Sequence, residues 1–230
     1  MGNPLTRTLL ILTFVTGIVD AVSFLALGQV FAAMQTGNVI FLGLGVAGSS
    51  GAPVLAPLLA LGAFVAGSAI GALLSRPGGP TAGHELHWAM TIEIGLLGAA
   101  AGFAALVDVQ PGELTAYVLI ATLSLTMGLR NAVARGVGDP NLATTVLNLT
   151  LGAFASPTPT GIASHDELAL RGVAIAAILA GAVIGALLLQ ASLALALATA
   201  AAVVLVAALS GRGSRSTSSL TSSGPARGAH

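Results

Sequence analysis

Charge is what this sequence has least of. Asp, Glu, Lys and Arg make up 7% of its 230 residues, where a soluble domain carries roughly a quarter. That is too little to clothe a water-facing surface of this size, so lipid must be the solvent for most of it. Cysteine is absent, which excludes disulfides, iron–sulfur clusters and thiolate metal sites. Aromatics reach only 4%: Trp88, Tyr117 and seven Phe. A transmembrane β-barrel needs aromatic girdles and alternating strands, so helices are the remaining way to satisfy a backbone in lipid. The net charge is zero, which offers nothing to nucleic acid. No Walker A sequence is present, so the chain itself should not hydrolyse nucleotide.

What is abundant is apolar sequence, 55% of the chain. A span needs ~20 mostly apolar residues, and such runs lie at about 8–28, 53–75, 87–107, 114–136, 168–189 and 192–210. The last two share one apolar run broken only around Gln190, long enough at ~1.5 Å per residue for two crossings and a tight turn. From 211 to 230 the chain is mostly Ser, Gly and Arg, which predicts a disordered tail after a single transmembrane domain over 1–210.

Two further apolar stretches carry polar side chains that a lipid-facing helix would not. The stretch 31–48 is interrupted by Gln35-Thr36-Gly37-Asn38, and 141–155 contains Thr144-Thr145, Asn148 and Thr150. They are either re-entrant half-helices or two more crossings. With six crossings and the N-terminus inside, Arg7, Arg76, Arg135, Arg212, Arg215 and Arg227 all fall on the cytoplasmic side, and Asp108 and Glu113 fall outside. That distribution satisfies the positive-inside rule; eight crossings would move Arg76 and Arg135 out. Six crossings are expected, with the two stretches broken or re-entrant and both termini cytoplasmic.

The two halves of the chain resemble each other. Residues 63–74 and 177–188 agree at eight of twelve positions, and Gly17-Ile18-Val19-Asp20-Ala21-Val22 aligns with Gly128-Leu129-Arg130-Asn131-Ala132-Val133. Thr36 and Leu42-Gly43 align with Thr145 and Leu151-Gly152. The offsets, 114, 111 and 109, are nearly constant, and the matches fall in chain order. Repeat one covers about 8–107 and repeat two about 114–210. Three crossings per half force the second half to enter the membrane upside down, an arrangement that recurs among secondary transporters.

Charges inside a span are costly and usually face the bundle interior. Asp20, Glu93 and Arg130 qualify. At ~1.5 Å per residue Arg130 lies ~13 Å from one end of its helix, and Asp20 and Glu93 fall in the same layer near the middle of a ~30 Å core. Arg130 should pair with one carboxylate, leaving the other for a cation or proton; alternatively the charges only lock helices together. Thr36, Gly37, Asn38, Thr145 and Asn148 would offer backbone groups and short polar side chains where a segment breaks, or merely satisfy a loop's own backbone; Asn131, next to Arg130 within a span, is expected on the same substrate or ion pathway. The pairs Gly67/Gly71, Gly98/Gly102 and Gly181/Gly185 have the GxxxG spacing of close helix packing.

Other motifs fail on context. Gly43-x-Gly45-x-x-Gly48 follows no strand, so it is not a dinucleotide fingerprint. His84-Glu85-Leu86-His87 lacks metalloprotease spacing, and Gly48-Ser49-Ser50-Gly51 has no histidine placed to activate a serine. No cofactor, metal or enzyme activity is expected.

Gly17-x-x-Asp20-Ala21, Leu27-Gly28-x-x-Phe31 and Thr36-Gly37-Asn38-Val39 resemble the YoaK-type family of bacterial integral membrane proteins, a family of unknown function. Gly128-Leu129-x-Asn131-Ala132 and Thr144-Thr145-Val146 are similar to its second set of motifs, although Arg130 stands where Gln is expected and Asn148-Leu149 where a second Thr-Gly is. The resemblance covers about 5–210 and implies a six-span inner-membrane protein without bringing a substrate. The expectation is therefore an all-α bundle of two inverted repeats that transports or conducts a small solute or ion. A non-catalytic scaffold or partner subunit is the competing reading. The lipid bilayer is the expected partner, and a homo-oligomer is left open.

Overall fold

The computed structural model describes residues 4–49, 51, 53–75, 82–137 and 165–218. Among them are seven helices: α1 Pro4–Ala26, α2 Gln35–Val46, α3 Leu55–Leu74, α4 Ala82–Leu106, α5 Leu114–Val137, α6 His165–Leu189 and α7 Leu193–Ser218. All but α2 are long and apolar enough to cross a membrane. Their bounds lie within a few residues of the apolar runs, because in lipid an unbroken helix is what satisfies every backbone group. The exception is α7, which runs on to Ser218 rather than ending near 210. The stretch 141–155, with Thr145 and Asn148, lies outside the described residues.

The first interrupted stretch breaks earlier than its polar residues suggest. Gln35-Thr36-Gly37-Asn38 is not the break but the first turn of α2. The break is the apolar segment 27–34, where Gly28 (φ 112°) ends α1 and the Gln29 N–H closes back on the Phe24 carbonyl at 3.1 Å. Twelve residues make α2 ~18 Å long, short of the ~30 Å hydrocarbon core. A left-handed Gly48 (φ 76°) closes its far end, with Gly48 N–H on the Gly45 carbonyl and Ser49 N–H on that of Leu44. This is a Schellman cap, which satisfies carbonyls the helix leaves open.

Helices α1 and α5 form the centre, burying 56% and 61% of their spanning residues against 11% for α6. Helix α3 packs on α5 and α6 on α1, α4 lies beside α5 and α7 beside α1, and α4 meets α7. Outward-facing leucines such as Leu73 and Leu106 are left for lipid.

Glycine sets how closely these helices approach. A Cβ on Gly67 would strike the Leu125 carbonyl, and one on Gly128 the Phe64 carbonyl, so α3 and α5 touch backbone to backbone. In the same way a Cβ on Gly181 would meet the Phe14 carbonyl and one on Gly17 that of Ile178, which joins α6 to α1. Gly71 and Gly185 extend the two contacts: a Cβ there would lie 2.7 Å from the Leu129 carbonyl and 2.8 Å from that of Ile18. In lipid such van der Waals contact does much of what hydrophobic burial does in water. Ser68 adds a hydrogen bond, its hydroxyl donating to the Gly128 carbonyl at 3.1 Å. Gly98 and Gly102 have the same spacing, yet nothing lies within 4 Å of their Cβ positions, so this pair plays no part in packing among the described residues.

Substitution should separate the two kinds of glycine. Gly67→Ala or Gly181→Ala forces helices apart and should cost about 1–3 kcal/mol, the usual penalty of overpacking. Gly98→Ala should be neutral or slightly stabilising, since alanine is the better helix former. Thermal unfolding of the detergent-purified variants measures both.

Candidate functional site

The polar centre is assembled from α1, α4 and α5. On α1, Thr16, Asp20 and Ser23 recur at i, i+4 and i+7, one face of a helix, and all three are buried. On α4, Glu93 is fully buried, and Arg130 of α5 is 6% exposed. Arg130 Nη1 donates to Glu93 Oε1 at 2.6 Å. Its Nη2 donates to the Thr16 hydroxyl, which in turn donates to the Leu12 carbonyl at 2.9 Å. One guanidinium thus ties three helices together. In a low-dielectric interior its attraction for Glu93 offsets a desolvation cost of several kcal/mol per ion.

Asp20 is held differently. Its Oδ1 accepts the Ala33 N–H at 2.7 Å, and the Ala32 and Met34 amides face the same carboxylate. The aspartate therefore binds the segment between α1 and α2. Its Oδ2 has no hydrogen-bond partner among the described residues, nor has Glu93 Oε2 or the Ser23 hydroxyl. Arg130 is near enough for its charge to act on Asp20, but its hydrogen bonds go to Glu93 and Thr16. After that pairing, one buried carboxylate in the layer remains without a cation of its own among the described residues.

The segment 27–34 runs back alongside α1. Phe31 stacks on Phe24 with ring centroids 5.0 Å apart, and Ala33 lies against Asp20, one turn further down. Phe41 of α2 completes the cluster at 6.0 Å from Phe24 and 6.2 Å from Phe31. Asn38, fully buried, reads the Phe31 backbone at both ends: Oδ1 accepts the Phe31 N–H at 2.9 Å, and Nδ2 donates to the Phe31 carbonyl at 2.7 Å. Nδ2 also donates to Gln35 Oε1 at 2.8 Å, and Gln35 Nε2 to the Ala32 carbonyl at 2.9 Å. Gly37 lies under the Phe31 ring, which a Cβ there would meet at 2.7 Å.

The residues singled out in the sequence therefore divide. Asp20, Glu93 and Arg130 come together at the centre. Asn38 and Gly37 shape the 27–34 segment, Thr36 is exposed at the start of α2, and Asn131, half-buried, sits about 100° round α5 from Arg130. Thr16, Ser23 and Ala33 join the site from outside that set. The seven-residue spacing of Thr16 and Ser23 about Asp20, in an otherwise apolar helix, is a signal for two of them. Nothing in the sequence marks Ala33, which contributes only its amide.

If Arg130 and Glu93 are a lock, removing one partner leaves a buried unpaired charge. Arg130→Met should cost about 3–5 kcal/mol, and Glu93→Met in the same chain should restore most of it, because apolar replacement of a whole buried pair is often neutral. Denaturant unfolding in detergent of the single and double variants measures the difference.

Comparison with known proteins agrees with the helical membrane architecture. No solved structure matches the chain. A curated relative, the UPF0700 transmembrane protein YoaK of Bacillus subtilis (strain 168), is 32% identical over 149 residues, 64% of this chain. The match spans 65% of that relative's length, just under two thirds. The family model described as a protein of unknown function, DUF1275, matches residues 8–210. With a match from the first span to the last, the chain belongs to the DUF1275 family of membrane proteins.

Proposed function

We propose that the chain is a transporter or channel for a small solute or ion in the inner (plasma) membrane, built as two inverted halves with both termini cytoplasmic. It acts without a cofactor and is not an enzyme. The observation that carries the reading is the unbalanced buried charge: Arg130 is engaged with Glu93, and Asp20 stays buried with one oxygen unpartnered among the described residues. A carboxylate kept at such a cost inside a span usually lines a substrate or ion pathway. It also lies where a helix ends and a short half-helix begins, the setting in which transporters place their sites.

The glycine contacts support the two-halves reading. The sequence repeat relates α1 to α5 by 111 positions and α3 to α6 by 114. Exchanging the halves moves α1 and α3 forward by these offsets and moves α5 and α6 back by them. Under that exchange the Gly17–Ile178 contact becomes Gly128–Phe64, Gly181–Phe14 becomes Gly67–Leu125, and Gly185–Ile18 becomes Gly71–Leu129. Each of the three is a contact the protein makes, which is the pattern expected of a twofold axis between the halves.

The scaffold reading keeps one observation in its favour, the Arg130–Glu93–Thr16 tie, which by itself only holds helices together. Asp20→Asn separates the two. Wild-type protein in liposomes should move at least one member of a broad panel of ions and small solutes. The variant should lose most of that flux while remaining folded. A wild type that moves nothing across the panel would remove the transport reading, and a variant that transports normally would remove Asp20 from the pathway.

A further inference from the structure

Ser23 is one of four buried hydroxyls, with Ser75, Thr115 and Ser124, that have no hydrogen-bond partner among the described residues. Serine and threonine inside helices can donate to the carbonyl one turn back, and Thr13, Thr16, Thr122, Thr126 and Thr199 all do so at 2.6–2.9 Å. Ser23 is fully buried and its hydroxyl has no partner among the described residues. Three residues back, on the same face of α1, Asp20 Oδ2 has none either. Residues three apart on a helix share a face, so the bare carboxylate oxygen and the bare hydroxyl lie on the same buried face of α1 without bonding to each other.

The other oxygen of that carboxylate holds the entrance to α2. Met34, the N-cap of α2, makes no side-chain cap of its own, and the Ala32, Ala33 and Met34 amides face Asp20 instead. Asp20 thus caps α2 from a neighbouring helix, where a negative charge is favoured. At the other end of the segment Gly28 (φ 112°) and Gln29 (φ 58°) are both left-handed, a natural hinge because Gly28 carries no Cβ. From 27 to 46 the chain contains no ionisable side chain.

We propose that Asp20 Oδ2 is a proton-binding position, and that its occupancy loosens the 27–34 segment from α1. A proton from the aqueous phase forms an O–H bond on Oδ2, and the carboxylate becomes a neutral acid. No other covalent bond changes. The Ala33 N–H then faces a neutral carbonyl, and a hydrogen bond that has lost its charge is roughly half as strong. A proton fits better than a metal ion, since on α1 only Asp20 and Ser23 offer side-chain oxygens with no partner among the described residues, and hard cations take six or more oxygen ligands. The charged groups facing Asp20 are Arg130 from α5 and its partner Glu93 from α4. Helices α2 and α3, and the spanning parts of α6 and α7 from 172 to 189 and 193 to 210, contain no ionisable residue.

This deepens the transport reading of the same site, but its test does not depend on flux. The chain has no cysteine, so Met34→Cys, at a 41% exposed position, takes a single spin label. In lipid nanodiscs the protein is acidified from about pH 8 to about pH 5, towards the range where carboxylates protonate. The mobile-to-immobile ratio of the spectrum should rise about fivefold, the weakening expected when one charge-assisted bond becomes a neutral one. Asp20→Asn should show the mobile spectrum at every pH. Ala33→Pro, which removes the N–H and leaves Asp20 intact, should do the same and serves if the first variant fails to fold. A pH response that survives Asp20→Asn, a response to Na+ in place of pH, or a spectrum that never changes would overturn the proposal. A titrating spectrum in a protein that moves no solute would instead count against transport alone.

Discussion

A guanidinium buried among apolar helices sets the terms for the middle of this bundle. Water cannot solvate Arg130 there, so the chain must supply both counter-charge and acceptors. Glu93 supplies the charge and Thr16 an acceptor, and their positions fix how α1, α4 and α5 sit relative to one another. The tie places α1 so that its polar face, Thr16 to Ser23, points inward, which in turn puts Asp20 against the amides of the 27–34 segment. Ion pair, capped half-helix and unpartnered carboxylate oxygen are consecutive results of keeping one cation dry.

Around this polar centre the packing is uniform in kind. Backbone contacts through glycine bring α3 onto α5 and α6 onto α1, and the aromatic cluster of Phe24, Phe31 and Phe41 closes the region above Asp20. The close glycine contacts carry no polar cost, whereas the charged layer does. A structure that needed only to hold together could have filled that layer with leucine, which is the physical ground for seeking function there rather than at the helix interfaces.

The spans are legible in the sequence because hydropathy is a property of the segment alone, and a 20-residue apolar run has one stable form in lipid. Glu93, Asp20 and Arg130 are legible as a layer because depth follows from counting residues along a helix. Which carboxylate takes Arg130 is not, since that depends on α4 lying beside α5. The break before α2 is hidden for a related reason. Gln35 and Asn38 look like an interruption, but their side chains turn back to bind the apolar segment 27–34, whose only local sign is Gly28. Ala33 contributes a backbone amide, a group every residue but proline carries, so no reading of side chains could find it.

The central claim is that Arg130 is committed to Glu93 and Asp20 is the carboxylate that exchanges with its surroundings. The infrared carboxyl C=O stretch of the protein in lipid tests this most directly. Acidification should bring up a protonated-carboxyl band that persists when Arg130 and Glu93 are both replaced by Met and vanishes in Asp20→Asn. A band that vanishes in the double variant and survives Asp20→Asn would contradict the account.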